Sequence, residues 1–170
     1  KLNLLVNKEI QNQIKDYIKS SSLYKSFKNN QGDSYHIKGL DGYALSRLIE
    51  LVQRSQSNRI IALVPTEEIA KELYTDLSDI EDIPVVYFPS NGKKLYSTPS
   101  ATMGEYAQAK ALSQITQLKQ GIIVTSLRAF SSPVISKESL SDLSLTIKVH
   151  DNFDPMALAQ KLSMAGYYRQ

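Results

Sequence analysis

At 170 residues the chain can hold one α/β domain with a buried core and a fragment of a second. Apolar residues make up 42% and charged residues 22%, a globular balance that argues against disorder and coiled coil. The net charge of +3 is short of a dedicated DNA-binding domain, and the lack of cysteine excludes disulfides, cysteine-ligated zinc, iron–sulfur clusters and a thiol nucleophile.

The chain starts at Lys1 rather than Met, as a trimmed piece of a longer protein would. Its opening apolar stretch, Leu2 to Val6, is too short for a signal peptide. No run approaches the roughly 20 apolar residues that span a bilayer. A cytoplasmic protein without membrane contact is expected. Ile10, Ile14, Tyr17 and Ile18 recur at helical spacing among polar residues, and Leu23 to Phe27 continues or restarts that helix. The lysines at 8, 15, 19, 25, 28 and 38 read as a solvated helix face before they read as a nucleic-acid patch. Residues 1–34 form a helical segment of their own, closed by the polar loop Lys28 to Ser34.

Strands and helices then alternate over residues 35–150. Tyr35-His36-Ile37-Lys38 is a short strand, and a helix runs from Tyr43 to Arg54. Arg59 to Val64 is a continuous apolar run of the kind buried on both faces of a parallel sheet. Thr66 caps the next helix, whose first-turn Glu67 and Glu68 suit the positive helix start. Ile69, Ala70, Leu73, Tyr74 and Leu77 form its apolar stripe. Val85 to Phe88 is the third strand, and residues 89–100 a long polar loop. A helix from Thr102 to Lys119 stops at Gly121, and Ile122 to Thr125 is the fourth strand. A short helix follows from Leu127 to Phe130, and Leu143 to Val149 is a weak fifth strand. Over 151–170, Asp154-Pro155 opens an amphipathic helix with Leu158 and Leu162 inside, leading into a truncated second subdomain. This alternation predicts an α/β fold, a mostly parallel sheet flanked by helices.

The stretch from Gly39 to Ser46 occupies the place of a phosphate loop, between a strand and a helix. The working pattern G-x-x-x-x-G-K-[ST] cradles phosphates with backbone amides, neutralises them with Lys and holds Mg²⁺ with the hydroxyl. Here Gly39 and Ser46 match, Ala44 replaces the second glycine and Leu45 replaces the lysine. Leu45 supplies no charge, and phosphoryl transfer rests on positioning and charge stabilisation. Without the lysine this loop at best holds an anion weakly at a helix start. The alternative is a plain turn joining strand to helix. No later strand ends in a magnesium-binding acid: Pro65-Thr66 and Thr125-Ser126 follow the apolar runs.

The pattern Lys38-Gly39-Leu40-x-Gly42 resembles the opening of the UvrB-like module of the bacterial transcription-repair coupling factors. So do Ile61-Ala62-Leu63-Val64-Pro65, Val86-Tyr87-Phe88-Pro89-Ser90, Ile122 to Ala129, Leu145 to Val149 and Ala165-Gly166-Tyr167, in that order over residues 35–170. The resemblance implies a degenerate P-loop NTPase fold, RecA- or UvrB-domain-like. It implies a non-catalytic module that recruits UvrA to lesion-stalled RNA polymerase in transcription-coupled nucleotide excision repair. It also implies that ATP, Mg²⁺ and DNA translocation belong to a motor elsewhere in the parent, as does polymerase binding. The main UvrA-contacting surface is implied to lie past Gln170, with Arg169 a neighbour at most.

Other candidate chemistry is thin. His36 and His150 have no third metal ligand at ligand spacing, and Ser126, Ser131 and Ser132 lack a nucleophile elbow. Lys93, Lys94 and Tyr96 combine charge and an aromatic ring, the ingredients of single-strand nucleic-acid binding, in what is otherwise a surface loop. In the family that loop stands where UvrB grips DNA. A rival to the family reading is an independent α/β enzyme with an atypical phosphate site at Gly39 to Ser46. Lys38 or Arg47 would then replace the missing lysine.

Overall fold

The computed structural model describes residues 2–29, 34–80, 82–91, 103–143, 148–150, 152 and 154–164. The chain divides into two compact units, Lys1–Ser132 and Pro133–Gln170. The first holds helices α1 (Leu2–Ser20), α2 (Ser22–Asn29), α3 (Gly42–Gln56), α4 (Glu67–Ser78), α5 (Met103–Gln117) and α6 (Leu127–Phe130). Its strands are β1 (Arg59–Val64), β2 (Val85–Phe88) and β3 (Gly121–Ser126). The second holds α7 (Lys137–Leu143) and α8 (Pro155–Met164). The fold is α/β: a small, wholly parallel three-stranded sheet in the order β1-β3-β2, with helices on both faces.

The sequence explains why β3 sits in the middle. Gly-Ile-Ile-Val-Thr-Ser has no residue that needs water, and all six are buried. Alternate side chains of β3 feed two cores. Ile122 and Val124 join Val64 and the α4 stripe Ala70, Leu73 and Leu77 on one face. Ile123 joins Val86, Phe88, Ala111 of α5 and Ala129 of α6 on the other. Thr66 caps α4 as expected, its hydroxyl accepting from the Ile69 N–H at 3.3 Å. Of the expected stripe, Ile69 stays exposed and Tyr74 is half-buried.

The helical N-terminal segment packs on α3. Ile18, Leu48 and Leu51 are buried together, with Ile14, Tyr24, Ile37, Leu40 and Val52 around them. Ile10 and Tyr17 point to solvent instead.

Three strand expectations change. Residues 34–38 join no ladder, because Ile37 packs into the α1–α3 cluster while Tyr35, His36 and Lys38 stay exposed. A single apolar side chain cannot fill a sheet face. β1 lies at the sheet edge, with Ile61 56% and Leu63 43% exposed, and so is not buried on both faces. Its apolar run is that of an interior strand, but among the described residues only β3 flanks it. In the second unit Leu143 ends α7, an unexpected helix, while 144–147 of the proposed fifth strand lie outside the described residues. Lys148 to His150 form no strand. The Asp154-Pro155 start holds, with Asp154 Oδ1 accepting from the Met156 N–H at 3.0 Å. Leu158 is only half-buried and Leu162 is exposed.

Gly121 has φ +145, and a Cβ there would meet the Pro84 carbonyl oxygen and approach Leu118 Cδ1 to 3.1 Å. That carbonyl accepts the Ile122 N–H at 2.9 Å, so it cannot withdraw without breaking the β2–β3 pairing. Gly121→Ala is expected to destabilise the chain by about 2–4 kcal/mol, from overpacking plus backbone strain. Urea denaturation followed by circular dichroism checks this.

Candidate functional site

Two places are candidate sites: the start of α3, in the position of a phosphate loop, and the carboxyl end of the sheet, where open α/β folds bind ligands. Gly39 and Gly42 both take positive φ, +73 and +51, a conformation open to glycine and strained for other residues. The chain therefore turns sharply into α3. Asp41 is the N-cap residue but makes no side-chain cap bond. Ala44 and Leu45 are half-buried in the first helical turn, and Leu40 is drawn into the α1–α3 cluster. Ser46 is fully buried, and its hydroxyl donates to the Tyr43 carbonyl at 2.8 Å. That hydroxyl faces its own helix rather than an open loop. The extended residues before the turn belong to no sheet, so no strand delivers them to a shared carboxyl edge.

Arg47, a candidate replacement for the lysine, is 3% exposed and committed elsewhere. Its guanidinium donates to Glu50 Oε2 at 3.1 Å and to the Asp76 carbonyl at 2.7 Å, and lies over the Tyr43 ring, 4.6 Å from its centre. Glu50 has no exposed surface and also takes Lys15 Nζ at 2.8 Å and Arg54 Nε at 3.0 Å on Oε1. One buried carboxylate thus gathers cations from α1 and α3, and Arg47 carries the link on to α4. Beside it lies a cavity of about 320 Å³, lined in part by Lys15, Arg47 and Arg54 and by Asp79 and Asp82. Both signs of charge face it, so it favours neither an anion nor a cation.

The carboxyl end of the sheet is organised by Glu67. It stands in the first turn of α4, just past β1. Its Oε1 accepts from the Ser126 hydroxyl at 2.6 Å and from the Ser90 N–H at 3.1 Å, and its Oε2 accepts from the Tyr87 hydroxyl. Ser126 ends β3 and caps α6, its Oγ accepting from the Ala129 N–H at 3.1 Å. Next to it, the Thr125 hydroxyl donates to the Phe88 carbonyl at 3.0 Å. Burial pushes the Glu67 carboxyl up, but the bonds from Ser126, Tyr87 and Ser90 outweigh it and hold the group below the usual range. Burial, then the Glu67 carboxylate, push the Tyr87 hydroxyl well above its ordinary value, so it remains a donor. Donors on β2, its following loop and β3 therefore converge on one anion, and the chain itself provides that anion.

The sequence reading explained Glu67 by the helix field alone and left Tyr87, Ser90 and Ser126 unconnected to it. Ser126 lies 59 residues from Glu67 in sequence, so no local spacing signals their meeting. Lys93, Lys94 and Tyr96 lie outside the described residues, as does Arg169. His36 is exposed in the first unit and His150, at φ +76, is exposed in the second. Among the described residues no three His, Cys, Asp or Glu side chains group as metal ligands. Among the described residues no helix is long and apolar enough to cross a membrane.

Glu50→Ala is expected to cost about 3–5 kcal/mol, because it strands Arg47 as a buried charge. Lys15→Ala, which removes a partly exposed partner, is expected to cost under about 1 kcal/mol. Chemical denaturation of both variants measures the difference. For Glu67 the sign follows from its lowered pKa: the contribution is complete above the unfolded value, about 4.3, and is lost as pH falls through the folded value. The stability gap between the natural chain and Glu67→Gln is therefore widest near neutral pH and closes on acidification, as denaturation between pH 7 and 3 reads out. No protein-family model, curated protein or solved structure matches the chain.

Proposed function

We propose that the chain is a non-catalytic, UvrB-like module of the transcription-repair coupling factors, one that helps recruit UvrA to RNA polymerase stalled at a lesion. The observation that carries this reading is the start of α3. The lysine of a phosphate loop is replaced by half-buried Leu45, and the hydroxyl that would hold Mg²⁺ is buried and bonded to the Tyr43 carbonyl. Phosphoryl transfer depends on charge placed against phosphate, and no residue from Gly39 to Ser46 carries a positive charge.

The parallel sheet with helices on both faces supports a degenerate nucleotide-binding fold of the RecA and UvrB kind. The ordered run of resemblances from Lys38 to Tyr167 supports placing that fold in the transcription-repair coupling family. The two internal carboxylates point the same way. Glu50 and Glu67 absorb the cations and hydrogen-bond donors that an enzyme would aim at substrate. In this reading the fragment takes no cofactor, and ATP, Mg²⁺, DNA and RNA polymerase engage other parts of the parent motor.

The reading predicts no ATP hydrolysis above background by the 170-residue chain. It also predicts that a chain extended past Gln170 to complete the second subdomain retains UvrA in a pull-down. Failure of the extended, folded chain to retain UvrA would remove the family assignment. Saturable turnover of ATP by the natural chain would bring the enzyme reading forward.

A further inference from the structure

β1 has the composition of an interior strand and the position of an edge. In a parallel pair, residues in register point to the same face, so Ile61 stands beside Ile123 and Leu63 beside Thr125. Ile123 and Thr125 are buried, Ile123 among Ala111 of α5 and Ala129 of α6. Ile61 and Leu63, on the same face one strand over, are 56% and 43% exposed. Among the described residues, the cover that shields the middle of the sheet stops before its β1 margin.

The backbone of β1 is open as well. The Gly121 N–H donates to the Asn58 carbonyl at 3.4 Å, which fixes the alternation. Asn58, Ile60, Ala62 and Val64 turn their peptide groups to β3, and Arg59, Ile61 and Leu63 turn theirs outward. Three N–H groups and three carbonyls thus face away from the sheet, at the repeat of a strand. None of them has a backbone partner among the described residues.

The opposite margin is protected. β2 has four residues, Pro84 and Pro89 bracket it, and its outward-turned Val85 and Tyr87 are half-buried. Short length and flanking prolines blunt a sheet edge. β1 has six residues, with no charge or proline from Ile60 to Val64, and a proline, Pro65, follows it at the carboxyl end only.

We propose that the outer edge of β1 is a docking site for an extended, apolar segment of a partner polypeptide, which adds to the sheet as a fourth strand. The occupant is a strand because only a second extended backbone offers donors and acceptors at the spacing of Arg59, Ile61 and Leu63. Its alternate side chains are aliphatic where they cover Ile61 and Leu63, and acidic where they meet the exposed Arg59 guanidinium. Main-chain hydrogen bonds give such a contact its affinity and the alternating side chains its specificity. This inference stands independently of the UvrA reading.

The probe is a fluorescent octapeptide made of two glutamates followed by the sequence of residues 121–126, the strand that β1 already pairs with on its inner edge. Anisotropy titration into the 170-residue chain is expected to saturate. Methylating alternate backbone nitrogens of the peptide, which leaves its side chains unchanged, is expected to weaken binding at least about tenfold. Leu63→Lys and Ile61→Lys, both at exposed positions and checked by circular dichroism, are expected to do the same. No saturation, or equal binding by the methylated peptide, overturns the proposal even if a lysine variant misfolds. Sedimentation showing a dimer of the natural chain that Leu63→Lys dissolves would also overturn it, by assigning the edge to a second copy.

Discussion

The two-sided pairing of β3 is the constraint on which the rest of the first unit depends. A strand flanked on both edges and buried along its whole length requires cover on both faces, and its side chains must be apolar or hydrogen-bonded inside the protein. Gly121 to Ser126 satisfies that requirement, and the neighbours follow from it. α4 lies on the face of Ile122 and Val124, and α5 and α6 on the face of Ile123. Pro84 and Gly121 touch closely at the amino end, so the β2–β3 register leaves no room for a side chain there. At the carboxyl end the same strand finishes in Thr125 and Ser126, whose hydroxyls bind β2 and Glu67.

The polar interior has a consistent character. Each of its two principal carboxylates is turned inward and met by several donors from separate elements. Glu50 joins α1 to α3 through Lys15 and, through Arg47, reaches the carboxyl end of α4. Glu67 joins the first turn of α4 to the ends of β2 and β3. Removing one partner from such a buried set costs far more than a surface ion pair contributes. Groups used as internal ties are not available to substrate.

Legibility followed the reach of the signal. The cap at Thr66, the stripe Ala70, Leu73 and Leu77, and the Asp154-Pro155 helix start are written within a few residues, and all three were readable. The strand spans 59–64 and 85–88 were also readable from apolar runs, as was 122–125 of the strand that spans 121–126. Their order was not, so β1 was read as interior when it lies at the edge. Tyr35 to Lys38 looked like a strand by alternation, but Ile37 found a helical cluster to join. Glu67 was noticed for its place in a helix, while its hydroxyl partners, brought in by the sheet, carry no local mark. The substitution of Leu45 in the phosphate-loop frame was visible at once, because that motif is contiguous. The burial of Ser46 and the commitment of Arg47 to Glu50 required the fold.

The central claim is that the turn into α3 has no nucleotide chemistry. It is tested most directly by amide NMR of the 170-residue chain titrated with ATP and Mg²⁺, following Gly39, Gly42 and Leu45. The account predicts that these three signals stay in place at millimolar nucleotide. Saturable shifts confined to Gly39 through Ser46 would contradict it and place a phosphate at the helix start.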